Sequence, residues 1–246
     1  MRRARGLCWA ALGATLLATA GCAVWRVGQS AELARRSEPF EQRPVAATRR
    51  LLIAGDSTAV GTGASSPENS LAGLIAQQHP QLVIENRARD GAKFADVAEQ
   101  LLRPGRFDIV LVQAGGNDVI RLRSIDDMRI DIDNVLDAAR QRADVVILMP
   151  AGNVGNAPFF FPPLSWWMTG RSREMHRLAA RAAARSKAVY VNLFHERDDD
   201  PFVRDPALNA VDGLHPSDAG YRVWWQVLQE QTDLRARLVA SEAQAK

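Results

Sequence analysis

The 246-residue sequence predicts an α/β domain on a doubly wound parallel sheet, and three observations carry that prediction. Five short apolar runs recur along the chain, helical patterns separate them, and the polar residues of chemical interest follow the runs at their carboxyl ends. Parallel strands need a crossover, which is nearly always a right-handed helix, so alternating strand and helix argues for helices on both faces of one sheet. In open sheets of this kind function gathers in the crevice outside the carboxyl ends of the strands.

The first run, Leu51-Leu52-Ile53-Ala54, is apolar throughout and stops at Gly55-Asp56-Ser57, as a buried strand bounded by a turn does. A helical pattern over residues 67–79 leads to Leu82-Val83-Ile84-Glu85, which enters a polar loop from Asn86 to Gly91. Residues 94–102 again read as helix, and the run from Asp108 to Gln113 leads into Gly115-Gly116-Asn117-Asp118. A helix over 125–142 precedes Val145 to Met149, and another over 171–185 precedes Ala188 to Leu193, which opens the loop holding Asp212 and His215. The last helix is expected over 221–229, with Ser217 or Asp218 as its cap.

With 47% hydrophobic and 24% charged residues, the composition is that of a globular protein, and the length after the N-terminal segment suits one sizeable domain, residues 51–246. The net charge of +3 is concentrated at the start: without Arg2, Arg3 and Arg5, 28 basic residues balance 28 acidic ones. A nucleic-acid partner is therefore not expected. Residues 1–27 have the anatomy of an export signal, a basic start followed by an apolar stretch from Leu7 to Ala20 that ends in small residues. Ala20-Gly21-Cys22 resembles a lipoprotein box, and from Leu7 to Trp25 there are 19 residues without a charge, enough to span a bilayer. Cleavage, lipidation at Cys22 and an uncleaved membrane anchor all remain open, and each places the domain in the cell envelope. Residues 28–50 are polar, charged and without periodicity, and are expected to be a linker. Cys8 and Cys22 both lie in the leader, which excludes a disulfide scaffold or a thiol nucleophile in the domain.

A serine hydroxyl is a weak nucleophile until a neighbouring base accepts its proton, and that base needs a partner to hold its tautomer. Ser57 is the candidate nucleophile, His215 the base and Asp212 the orienting carboxylate. Each motif alone has an ordinary reading: Gly-Asp-Ser is a common turn and Asp-x-x-His a common surface loop. Together, at matching strand ends, they read as catalytic. The amides of Ser57 and Gly91 and the carboxamide of Asn117 are candidate donors to a developing oxyanion, with two glycines ahead of Asn117 to let the backbone approach closely. Other chemistries fit less well. Ala59 stands where the Gly-x-Ser-x-Gly elbow needs its second glycine, and Gly61-Thr62-Gly63 lacks the rest of a phosphate-binding loop.

These blocks resemble those of the SGNH (GDSL-like) hydrolase superfamily: Gly-Asp-Ser at residues 55–57, a second block ending at Gly91, Gly-x-Asn-Asp at 115–118 and Asp-x-x-His at 212–215. The resemblance runs from Leu51 to about Leu228, with Ala88 at a position that often holds glycine. It implies a flavodoxin-like three-layer α/β/α fold with a five-stranded parallel sheet. It also implies ester hydrolysis without a metal or cofactor, Ser57, Asp212 and His215 as triad, and Ser57, Gly91 and Asn117 as oxyanion hole. Substrates would be small-molecule or lipid esters; family members include lipases, thioesterases and carbohydrate deacetylases.

The stretch after the fourth run holds Phe159, Phe160, Phe161, Trp166 and Trp167 among prolines, either an acyl-binding wall or lid at the catalytic edge, or a cover for the sheet. If exposed, it would instead touch the membrane. Trp224 and Trp225 read as core, His79, His176 and His195 as surface or structural residues, and Asp198-Asp199-Asp200 as a solvated loop. The function expected is an envelope serine esterase. An O-acyltransferase with the same residues, and a non-catalytic glycan- or lipid-binding module, are the alternatives.

Overall fold

The computed structural model describes residue 21 and residues 24–47 and 49–239. The leader reading at Cys22 and the apolar run from Leu7 to Ala20 fall outside them. Among the described residues no helix is long and apolar enough to cross a membrane.

The five strands are β1 (Arg49–Gly55), β2 (Leu82–Asn86), β3 (Ile109–Ala114), β4 (Val145–Pro150) and β5 (Val189–Tyr190). They form one sheet in the order β2-β1-β3-β4-β5, with every pairing parallel. The helices, in chain order, are α1 (24–36), α2 (Ser57–Val60), α3 (Leu71–Gln78), α4 (Phe94–Leu102), α5 (Gly116–Ile120), α6 (Ile125–Arg140), α7 (Leu164–Ser186), α8 (Pro201–Arg204), α9 (Asp218–Gln231) and α10 (Leu234–Val239).

Alternate residues of each strand feed opposite cores, because successive side chains of a strand point to opposite faces. Leu52, Ala54, Val110, Val112, Val146 and Leu148 pack with α4, α6 and α7 on one side. Leu51, Ile53, Ile109, Leu111, Ile147 and Met149 pack with α3, α9 and α10 on the other. The runs are apolar throughout because both faces are covered, and the result is the three-layer α/β/α arrangement the sequence predicts. The chain winds from β1 out to β2, then returns to β3 and proceeds to β4 and β5. The sheet therefore reverses direction between β1 and β3, the place where such sheets open a crevice.

Several boundaries differ from expectation for local reasons. β1 starts at Arg49 because Asp108 ion-pairs with the Arg49 side chain and accepts from the Arg50 amide at 2.8 Å. β5 keeps only two ladder residues, since the amide and carbonyl of Asn192 bond the side chain of Gln231, at 2.7 and 3.1 Å, instead of β4. α7 begins at Leu164, seven residues before the sequence reading puts it. The interruption there is Gly170, around which a Cβ would meet nothing within 4 Å. A mid-helix glycine costs only about 1 kcal/mol, and packing of Ser165, Met168 and Ser172 into the interior outweighs it. The segment expected as a linker contains most of α1 and an antiparallel bridge from Gln42 to Ile84. Its charges are helix-spaced pairs, Glu32 with Arg35 and Arg36, which a composition count reads as a tether.

One side chain locks the end of β1. Gln100 of α4 accepts from the Gly55 amide at 2.8 Å and donates to the Gly55 carbonyl at 2.9 Å, replacing the ladder where the strand stops. Gly55 also lies so close to β3 that a Cβ there would stand 2.0 Å from the Gln113 carbonyl oxygen. Gln100→Met fills the same space but strands the buried Gly55 amide. It should lower unfolding free energy by about 1–3 kcal/mol in urea titrations, and an unchanged midpoint would remove Gln100 from this role.

Candidate active site

At the carboxyl end of β1, Asp56 stops the strand and starts α2. Its side chain accepts from the Thr58 amide at 2.9 Å and the Thr58 hydroxyl at 2.7 Å, which caps the helix. Ser57 is thereby held at the first helical position, nearly buried, with its hydroxyl directed away from the sheet toward the loop after β5. Burial pushes the Asp56 carboxyl up, against the two Thr58 bonds.

That loop is narrowed at its base by an antiparallel bridge between Asn209 and Pro216 and by the Ala210 amide, which donates to the His215 carbonyl at 2.8 Å. Asp212 and His215 occupy its tip. The Asp212 carboxylate accepts from the amides of Leu214 and His215 at 3.0 and 3.1 Å, and its second oxygen lies 2.6 Å from His215 Nδ1. Burial would raise this carboxyl, but the His215 hydrogen bond and charge together with the two amides hold it below the ordinary aspartate range. With Nδ1–H donating to Asp212, His215 Nε2 is left as an acceptor, 2.9 Å from Ser57 Oγ. Residues 158 positions apart in sequence are thus in hydrogen-bond contact. A hydroxyl, an imidazole and an ionised carboxylate in line can move a proton off the hydroxyl while the carboxylate stabilises the imidazolium that forms.

Gly91 and Asn117 line the same cavity as Ser57 and His215. Among the described residues neither the Gly91 amide nor the Asn117 carboxamide is committed to another protein group. Asn117 is brought in by Gly115, whose φ of 111° turns β3 into α5 and whose Cα faces Met175 Sδ so closely that a Cβ would stand 2.4 Å from it. Three donors, two amides and a carboxamide, therefore border one space beside the hydroxyl, as an oxyanion requires.

The cavity has a volume of about 460 Å³. Ile120, Val154, Phe159, Leu193, Leu214 and Trp224 give it apolar walls, and α1 contributes Val27, Ser30, Ala31 and Ala34. The α1 residues follow the i, i+3, i+4, i+7 spacing of one helix face, a signal the sequence reading missed because three of the four are small. Of the aromatic stretch, only Phe159 reaches the cavity. Phe160 meets Phe159 edge to face at 5.0 Å and packs on the core, while Phe161, Trp166 and Trp167 are exposed. The acyl-wall reading therefore narrows to Phe159, because the first turn of α7 turns its indoles to solvent. Trp224 and Trp225 are buried as expected, and Trp224 serves the cavity as well. His195 also lines the cavity. His176 is structural, with Nδ1 2.6 Å from the Tyr190 hydroxyl and Nε2 2.7 Å from the Ala151 carbonyl, and burial pushes it down to about 4. Asp200 is not a solvated loop residue: it is buried, accepts from the Phe202 amide at 2.9 Å and binds Asn156 at 2.8 Å.

A second acid sits behind Asn117. Asp118 is fully buried, accepts from the Phe94 amide at 3.1 Å through one oxygen, and has no partner for the other. Burial first, and then the charges of Asp56 and Asp131, push it up to about 7.

The model of the GDSL-like lipase/acylhydrolase family matches residues 53–223. No curated protein matches the chain in sequence. Among solved structures, an α/β hydrolase from the metagenome of Lake Arreo, Spain, superposes with a TM-score of 0.60 at 19% identity, over 76% of this chain and 95% of its own. An extracellular lipase from Streptomyces rimosus does so with 0.61 at 19% identity, over 75% and 100%. A variant acetyl xylan esterase from Geobacillus stearothermophilus reaches 0.56 at 18% identity, over 76% and 95%. At these identities the likeness is one of fold.

The buried Asp118 makes stability depend on pH in a direction opposite to that of Asp212. With its folded-state value raised from 3.8 to about 7, the folded chain keeps a proton that the unfolded chain has lost, so stability falls as pH rises through that window. Asp118→Asn keeps an acceptor for the Phe94 amide and removes the titration. In urea titrations across this range, the wild type should lose roughly 1–4 kcal/mol relative to the variant between the acid and neutral ends. Parallel stability curves would show that folding does not raise the Asp118 carboxyl above its ordinary range.

Proposed function

Because the chain belongs to the GDSL-like lipase/acylhydrolase family and is an ester-bond hydrolase, we propose that it cleaves carboxylic esters through an acyl-enzyme on Ser57. Ser57 Oγ attacks the ester carbonyl carbon as its proton passes to His215 Nε2, and Asp212 stabilises the resulting imidazolium. The carbonyl oxygen, now an oxyanion, is received by the amides of Ser57 and Gly91 and the carboxamide of Asn117. Collapse breaks the bond to the alcohol oxygen, which leaves with the proton from His215. Water then attacks the acyl carbon with His215 as base, the acid product departs, and Ser57 regains its proton.

The observation that carries this reading is the 2.9 Å approach of Ser57 Oγ to a His215 ring whose other nitrogen is held by Asp212 at 2.6 Å. The apolar walls of the cavity favour esters with a hydrophobic acyl or alkyl group over highly polar ones. Proteins of similar fold include a lipase and an acetyl xylan esterase, so the cavity rather than the fold has to decide the substrate. The basic and apolar leader supports a place in the cell envelope.

A panel of p-nitrophenyl esters from acetate to palmitate, assayed with wild type and variants, tests the mechanism. Ser57→Ala should lose on the order of 10⁴–10⁶ in kcat, and rates equal to wild type would refute the nucleophile. Asn117→Ala, which keeps the triad, should lose about 10²–10³ in kcat with a smaller change in KM. A change confined to KM would take Asn117 out of the oxyanion hole.

A further inference from the structure

Most exposed large apolar side chains of the described residues lie in two short segments, one at the start of α1 and one at the start of α7. Trp25, Val27, Phe161, Leu164, Trp166 and Trp167 are between 42% and 70% exposed, and they include every exposed tryptophan among the described residues. The two segments touch: the Arg26 guanidinium lies 4.9 Å above the Phe161 ring. Both also border the cavity, the first through Val27 and the second through Phe159. Single exposed apolar residues are ordinary on a protein surface, but indoles and aliphatics gathered on two touching segments beside a cavity mark a contact surface.

The chain itself indicates what that surface meets. It enters α1 from 19 uncharged residues ending at Trp25, preceded by Arg2, Arg3 and Arg5 and followed at once by Arg26. An apolar run bounded by tryptophan and arginine has the chemistry of the bilayer boundary, where indole rings rest at headgroup level and guanidinium groups reach phosphates. Trp166 and Trp167 stand on the neighbouring segment, 70% and 52% exposed. We propose that this rim docks on the surface of a lipid bilayer, with the cavity mouth turned toward the headgroups, so that esters reach Ser57 from the membrane. The substrate clause rests on the esterase reading; the docking does not.

Full-length protein reconstituted in phosphatidylcholine vesicles with a minor share of phosphatidylglycerol tests both parts. Part of the phosphatidylcholine carries brominated acyl chains, which quench indoles in contact with them. Trp166→Ala/Trp167→Ala, which leaves Trp25 and the leader in place, should lose a measurable part of the bromolipid quenching. Its turnover of a long-chain ester carried in the vesicles should fall about tenfold, the effect of losing part of the burial of two large apolar side chains. Turnover of soluble p-nitrophenyl acetate should stay within about twofold, the expectation for a folded surface variant. Equal bromolipid quenching in the two proteins would overturn the docking. So would a wild-type dimer in detergent that the double variant converts to monomer, which would assign the face to a second copy. A wild type inactive on both esters but losing its quenching in the variant would overturn the esterase reading and leave the docking standing.

Discussion

The whole site hangs on how closely β1 runs against β3. At their carboxyl ends the Gln113 carbonyl occupies the space where any side chain on residue 55 would be, and the Asp56 amide donates to that same oxygen at 3.0 Å. Only glycine permits the approach. Its effect is to bring the last residue of one strand and the turn after the other to a single edge, so that Ser57 and Asn117 emerge side by side although α3, β2, α4 and β3 lie between them in sequence. Because the sheet reverses direction between these two strands, a crevice opens at their carboxyl ends. The crevice is a consequence of winding order. Its chemistry is a consequence of what each strand does on leaving the sheet.

Electrostatically, the site treats its buried carboxyls in opposite ways. Asp212 receives two amides and an imidazole and stays ionised in spite of burial. Asp118, equally buried, receives one amide, has an orphaned oxygen and feels the charge of Asp56. The number of donors aimed at each acid decides which one carries charge. Under the proposed mechanism the carboxylate that steadies a forming imidazolium is the ionised one. An acid behind the Asn117 turn serves as a packing and capping group, for which the protonated form suffices.

Much of this arrangement is legible in the sequence because it rests on repeated, local signals. Apolar runs buried on both faces mark all the strands, and the blocks holding Ser57, Asn117 and His215 fall where those runs end. The cap of α9 is legible too: Ser217 accepts from the Gly220 amide at 3.3 Å, while Asp218 turns to Ser65. What escapes a one-dimensional reading is pairing at a distance. Nothing in the pattern around Gln100 says that its amide replaces a ladder partner 45 positions away. Residues 28–36 look like solvated linker because small side chains carry the cavity-facing side and the charges pair among themselves. The aromatic stretch fails in the reverse sense. Its composition reads as a binding wall, yet helix geometry sends its two tryptophans away from the site, and direction is a property of register rather than composition.

The division between legible and illegible parts follows the division of labour in the molecule. The groups of the proposed mechanism stand on strand ends and tight turns, where glycines, caps and hydrogen-bonded carboxylates hold them. The walls are assembled from α1, from the segment around Phe159 and from the loop between β5 and α9. The Phe159 amide, for instance, donates at 2.8 Å to the Gly213 carbonyl, which ties the aromatic segment to the loop bearing Asp212 and His215. A wall fastened to that loop is held beside Asp212 and His215 by the same turn. In this chain the sheet fixes the strand ends from which Ser57 and Asn117 emerge, and the appended segments shape the cavity beside them.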